Sequence, residues 1–331
     1  MSERQAMAKK ISTAQIIKTT GTLLTIISLI FVGRSVWGQK EFLSNISIGT
    51  ISTIVLVGIP FYFIADLILA AAWKMLLNWF GENHLGFLKS VWIYGKSQIL
   101  KYIPGNLFYL PGRHLIALRH GAENVPLVGA ATFEIIGLFA TASSVSILGV
   151  VFIEGIDTRL SLFVATSVLL ASLASPIILK SVLSIKFIAK KMPALEKITW
   201  GNYSHLIGIW LLYACFFVIV GFILFWITGI VTGKWNVTLL YTSLFAFTIS
   251  WLLGTITPGA PAGAGIRESI IILILSPQIG VANSVLVSLI MRIITMLADV
   301  VYYLFSLYLE KNTSPLAKVL FATEVTEKKE F

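Results

Sequence analysis

Polar surface is what this sequence most lacks. Only 12% of its 331 residues are charged, 57% are hydrophobic, and the mean hydropathy is +0.89. So few polar side chains cannot cover a soluble globule, and the composition is that of a polytopic membrane protein. Cysteine is nearly absent. Cys215 stands alone in an apolar stretch, which excludes an intrachain disulfide and a paired-cysteine metal site, and reads as a small packing residue. Histidine is also scarce: His84, His114, His120 and His205 show no HxxxH or HExxH spacing, so no metal is expected. His114, beside Arg113, reads as a polar headgroup contact. There is no GxSxG elbow or Ser-x-x-Lys context, and the glycine-rich stretch 258–265 lacks the lysine and serine of a P-loop. No cofactor is expected.

Acidic residues are in deficit, 15 against 25 Lys and Arg, which leaves a formal charge of +10. The cations cluster in short loops between apolar segments, where they set orientation and attract anionic headgroups rather than nucleic acid. Apolar stretches of 17 to 29 residues occupy 16–32, 46–72, 126–153, 160–179, 206–230 and 281–309, each long enough to span a core of about 30 Å. Lysines before the first stretch resemble a signal peptide, but no small-x-small cleavage site follows, so that run is read as a retained helix. Nine tryptophans, among them Trp37, Trp73, Trp79, Trp92, Trp200 and Trp235, lie mostly near predicted span ends and read as interfacial belts.

Two broken regions interrupt this pattern, and they carry one motif twice. KYIPGNLFYLPGR holds Pro104 and Arg113; TITPGAPAGAGIR holds Pro258 and Arg267, the arginine nine residues after the proline in both. Helix breakers beside cations, duplicated in a membrane protein, suggest paired broken helices around a polar cavity. The first region, 86–118, is interrupted at Pro104, Gly105, Pro111 and Gly112; the second, 237–276, is broken across 258–265. Each is read as a helical hairpin that enters and leaves on one side.

Loop charges set the topology. Lys9 and Lys10 place the amino end in the cytoplasm, as do Lys74, Lys89, Lys96 and Lys101 for the segment after the second span, and Lys180, Lys186, Lys190, Lys191 and Lys197 after the fourth. Second span, first broken region and third span then match fifth span, second broken region and last span with opposite orientation. The expected fold is all-α: about six spanning helices plus two re-entrant hairpins, a single transmembrane unit over 1–331 with inverted repeats at 46–153 and 205–309 and a cytoplasmic tail at 310–331. The expected location is the cytoplasmic membrane.

Arg113 and Arg267 sit where a second arm begins, and a helix amino terminus with a forked guanidinium suits a phosphate. Arg113 alone also fits an interfacial positive-inside residue. Glu134 and Arg292 lie at comparable depth in the third and last spans, where facing lipid would cost each about 2.5 to 3.5 kcal/mol. They are expected to pair with each other, or with Arg267 and Glu268, as a substrate-responsive pair or as a structural salt bridge. Asp66 is read as an interfacial partner of Lys74. Asp299, two turns beyond Arg292, is placed on the same cavity, although spacing alone assigns no proton to Glu134 or Asp299.

These residues together resemble a known family. KYIPGN followed by PGR, an intramembrane glutamate about twenty residues later and the block PGAPAGAGIRE are similar to the lysylphosphatidylglycerol synthase transmembrane region, the flippase-like membrane domain of the multiple peptide resistance factor, over 16–309. The resemblance implies a stand-alone flippase-like protein that moves an anionic phospholipid or glycolipid between leaflets, and argues against synthase activity. It also implies functional roles for Pro104, Gly105, Asn106, Gly112, Arg113, Glu134, Pro258, Gly259, Gly263, Gly265, Arg267 and Glu268. The rival readings are a membrane-embedded headgroup enzyme and an accessory scaffold for lipid or polysaccharide synthesis.

Overall fold

Long apolar runs set the helices, and turn residues divide them. A computed structural model describes residues 30–39, 47–103, 108–150, 159–160, 162–164, 166–171, 174 and 203–313. Among them, helix α1 is Ile48–Trp79 and α2 is Phe87–Gln98, which runs into a 3₁₀ turn at Ile99–Tyr102; α3 is Tyr109–Arg119 and α4 is Asn124–Val150. The second set is α5 (Tyr203–Thr232), α6 (Val237–Ile256), a 3₁₀ turn at Pro261–Gly263, α7 (Ile266–Ile279) and α8 (Val281–Thr313). The breaks fall at left-handed glycines: Gly81 and Gly121 follow α1 and α3, and Gly280, at φ 80°, separates α7 from α8. Asn236 caps α6, its side-chain oxygen accepting from the Leu239 N–H at 2.7 Å.

Six helical segments among the described residues are long and apolar enough to cross a membrane, and the protein is an all-α, multi-pass membrane protein. Four of these are the expected spans at 46–72, 126–153, 206–230 and 281–309. The other two are the arms of the second broken region, Val237–Ile256 and Pro261–Ile279. The expected spans at 16–32 and 160–179 lie mostly outside the described residues. The two hairpins differ in reach. With a rise of about 1.5 Å per residue, α2 and α3 are about 18 and 16 Å long, half a bilayer core, whereas α6 is about 30 Å.

Contacts follow one exchange rule. Replacing α1 by α5, α2 by α6, α3 by α7 and α4 by α8, and the reverse, turns each helix pair in contact into another pair in contact: α2–α8 into α6–α4, α1–α2 into α5–α6, α3–α4 into α7–α8, α1–α8 into α5–α4. The α1–α5 pair maps onto itself, and so do the two 3₁₀ turns, which touch each other. Hydrogen bonds cross both mated interfaces. Tyr302 on α8 donates to the Val91 carbonyl on α2 at 2.9 Å, and Ser146 on α4 donates to Thr248 Oγ1 on α6 at 2.7 Å. Gly95 lets α2 lie against α8, since a Cβ there would stand 2.1 Å from Ser306 Oγ and 2.6 Å from the Tyr302 ring.

Burial corrects several expectations. Trp73, Trp79 and Trp92 are not interfacial belts; each is only 2% exposed and packs in the core, while Trp37 and Trp235 are exposed. Cys215 is not a packing residue but lies exposed on α5. Pro111 and Gly112 do not interrupt the first broken region, because both fall in the first turn of α3, where proline removes no helical hydrogen bond. Pro104, Gly105 and Asn106 lie outside the described residues.

The loops after α1 and α5 provide the topology test. In a Cys215→Ala background, Asn83→Cys and Lys234→Cys, both exposed positions, are expected to react with an impermeant thiol reagent from opposite sides of the membrane, Asn83→Cys from the cytoplasm. Labelling of both from one side contradicts the inverted arrangement.

Candidate functional site

The first charged cluster forms where α3 turns back toward α4. Arg113 and Glu134 are each 2% exposed and pair at 2.6 Å, Nη1 to Oε2. Glu134 Oε1 accepts from Tyr94 Oη at 3.0 Å, and Arg113 Nε donates to Ser97 Oγ at 3.2 Å, so α2 clamps the pair from the side. The guanidinium lies 3.8 Å from the Tyr94 ring centroid, with the Trp73 and Tyr109 rings at 5.3 and 5.6 Å. Cation–π contact of this kind supports a desolvated cation. Arg113 is thus held by a carboxylate, a hydroxyl and three rings.

The second cluster repeats the arrangement with its charges exchanged. In the first half the hairpin arm supplies the arginine and the following long helix the glutamate. In the second the arm supplies Glu268 and the long helix Arg292, joined at 3.3 Å. Glu268 Oε2 also accepts the Gly265 N–H at 2.6 Å, and Arg292 donates to the Ala262 carbonyl at 3.1 Å. This ties α8 to the hairpin tip. That tip is held in left-handed geometry at Gly259, Ala262, Gly263 and Gly265, with Ala262 at φ 49°. The turn opened by Pro258 therefore needs its glycines. The expected Glu134–Arg292 pair does not form, whereas the alternative expected for Arg292, a pair with Glu268, does: each ion is neutralised within its own half, by the hairpin arm adjacent in sequence.

Arg267 is the exception. Among the described residues no carboxylate lies within ion-pairing distance of it, and the neighbouring Glu268 is engaged by Arg292. Its Nε is buried without a partner, and Nη2 has only a long 3.4 Å contact to Thr255 Oγ1. Gly254 and Gly263 bring the hairpin arms together beneath it; a Cβ on either would meet the Arg267 side chain at 2.7 Å.

Arg267 opens into a central cavity of about 50 Å³, lined from the first half by Tyr62 and Asp66 of α1, Tyr94 and Gln98 of α2, Lys101 of the 3₁₀ turn, Tyr109 of α3 and Glu134 of α4. From the second half come Phe216 of α5 and Trp251 and Thr255 of α6. Such a volume takes a few waters. Asp66, expected at the interface with Lys74, is 1% exposed and faces this cavity, while Lys74 Nζ reaches the Glu82 carbonyl at 3.5 Å. Asp299 is bound by Lys101 at 2.8 Å and by the Tyr102 hydroxyl, which carries the 3₁₀ turn of the first hairpin onto α8. His114 bonds Asn124 Oδ1 at 2.7 Å.

Comparison with protein-family models finds no match, and neither does comparison with curated proteins. The site therefore rests on its own geometry. Sequence reasoning missed Tyr62, Tyr94, Tyr109, Lys101 and Trp73. One signal was available: Tyr62 and Asp66, and Tyr94 and Gln98, are i, i+4 polar pairs in helices otherwise rich in apolar residues.

The ion pairs yield a stability prediction. Arg113→Gln or Glu134→Gln alone strands a buried charge, and each is expected to destabilise by about 3 to 5 kcal/mol, with the double variant recovering much of the loss. Glu134→Gln with Arg292→Gln is expected to be additive. Thermal midpoints in detergent read both cycles; additivity at Arg113 and Glu134, or coupling between Glu134 and Arg292, contradicts the assignment.

Proposed function

We propose that this protein translocates a lipid with an anionic headgroup, a phospholipid or glycolipid, between the leaflets of the cytoplasmic membrane, its amino terminus in the cytoplasm. One observation carries the reading. Arg267 presents a guanidinium without a counter-ion to a polar cavity where two broken hairpins meet, and an uncompensated cation at membrane depth is an anion site in waiting. The tyrosines, Gln98 and Thr255 beside it offer hydroxyl and amide contacts of the kind a phosphate or sugar accepts. Arg113, first read as a second phosphate contact, serves instead as the cation that keeps Glu134 in place.

A cavity of about 50 Å³ is too small for a lipid headgroup, so passage requires the cavity to widen. Left-handed glycines at the second tip supply that freedom. The likeness of the motifs around Arg113 and Arg267 to the lysylphosphatidylglycerol synthase transmembrane region agrees with lipid movement. Among the described residues no three His, Cys, Asp or Glu side chains converge, so metal-assisted headgroup chemistry has less support than headgroup passage.

The test is movement of a fluorescent phosphatidylglycerol in proteoliposomes, read by quenching of the outer leaflet. Losing a charge-assisted contact of about 1.5 to 3 kcal/mol predicts that Arg267→Gln slows movement by about ten- to a hundredfold at an unchanged thermal midpoint, with Arg267→Lys also impaired because the fork is lost. Wild-type rates in both variants, or no movement above protein-free vesicles, overturn the proposal. Chemical conversion of the lipid would replace it with an enzymatic one.

A further inference from the structure

Asp66 has no task in holding the fold together. It lies in the apolar run of α1, 1% exposed, yet its Oδ2 is buried without a hydrogen-bond partner, and no cation pairs with it among the described residues. Every other buried acid at this depth is engaged: Glu134 by Arg113 and Tyr94, Glu268 by Arg292 and the Gly265 N–H, Asp299 by Lys101 and Tyr102. An ionised, unpartnered carboxylate in such a setting is far costlier than a neutral carboxyl with one unmet hydroxyl. We propose that Asp66 is a proton-binding site that couples opening of the central cavity to proton movement across the membrane. The coupling rests on the transport reading above; the proton site rests on geometry alone.

The groups facing Asp66 explain why its proton is exchangeable. From α1 itself comes Tyr62, one turn earlier on the same wall; from α8, Asp299 and Tyr302; from the 3₁₀ turn of the first hairpin, Lys101. Tyr94 of α2, Tyr109 of α3, Glu134 of α4 and Arg267 of α7 line the same cavity, whereas α5 and α6 contribute only Phe216, Trp251 and Thr255, none of which titrates. Lys101 and Arg267 are the cations on this wall, Lys101 held by Asp299 at 2.8 Å. Opening of the cavity admits water; the Asp66 O–H then breaks, its proton passes to a cavity water and leaves on the open side, and the hydrated carboxylate stays behind facing Lys101, which keeps its bond to Asp299. Closing expels the water and requires a proton to be taken up again. Because Arg267 holds an anion in the same cavity, one proton and one headgroup occupy it in concert.

Two measurements on the full-length protein decide this. Infrared difference spectra of detergent-solubilised protein at pH 7 are expected to show a protonated carboxyl stretch that vanishes in Asp66→Asn and does not respond to exchange of potassium for sodium. In proteoliposomes, a transmembrane pH gradient is expected to change the rate of fluorescent phosphatidylglycerol movement severalfold in the wild type and to leave the Asp66→Asn rate unchanged, while a sodium gradient has no effect. An ionised Asp66 at pH 7 overturns the site. A gradient response that survives in Asp66→Asn, or one driven by sodium, overturns the coupling. Wild-type protein that moves no lipid removes the transport reading and the coupling together, while the carboxyl band still decides whether Asp66 holds a proton.

Discussion

Charge at membrane depth has to be balanced inside the protein, and the rest of this structure is arranged around that requirement. The strictest instance is Arg113 with Glu134, both 2% exposed and joined at 2.6 Å. Neither could stay ionised at this depth without the other, so the pair fixes where α3 lies on α4. Through Tyr94 and Ser97 it also fixes where α2 lies on both. The Glu268–Arg292 pair does the same for α7 and α8 with signs exchanged, and extends to the backbone of the hairpin tip. Once these pairs are satisfied, two charged-type groups remain on the cavity wall without a partner of opposite sign, Arg267 and Asp66.

Backbone shape serves the same end. A hairpin tip inside a membrane is tolerated only where protein or a wet cavity meets its free backbone groups. Arg292 meets the Ala262 carbonyl and Glu268 meets the Gly265 N–H, so the charges that neutralise each other also satisfy the broken helix. The glycines at 254 and 263 let the arms close until only the Arg267 side chain fits between them. A tip held by a few polar contacts and left-handed glycines can rearrange without unfolding the long helices behind it.

Much of this was legible in the sequence, and what was not has a physical reason. Apolar run length located α1, α4, α5 and α8, and Pro-Gly clusters marked both broken regions. Position along a helix can be counted from residue number, and Glu134 and Arg292 are the eleventh and twelfth residues of α4 and α8; direction around the helix axis cannot, and the two face different partners. Asp66 was misplaced because the apolar run ends near Ala72 whereas α1 continues to Trp79. Its last turns are sheltered by α2, which sets Asp66 thirteen residues, about 20 Å, from the helix end. The same extension buries Trp73 and Trp79, which composition alone assigns to an interface. Pro111 reads as a breaker but starts α3, since proline interrupts a helix only beyond its first turn.

The central claim is that Arg267 is kept without a counter-ion in order to hold the anionic part of a lipid. Native mass spectrometry of gently extracted protein tests it most directly, comparing the wild type with Arg267→Gln and with a surface control, Lys311→Gln. An anionic lipid is expected to stay bound to the wild type and the control and to be lost, or to fall at least tenfold in occupancy, in Arg267→Gln. Equal retention of that lipid by all three proteins, or retention of neutral lipids alone by the wild type, would contradict it.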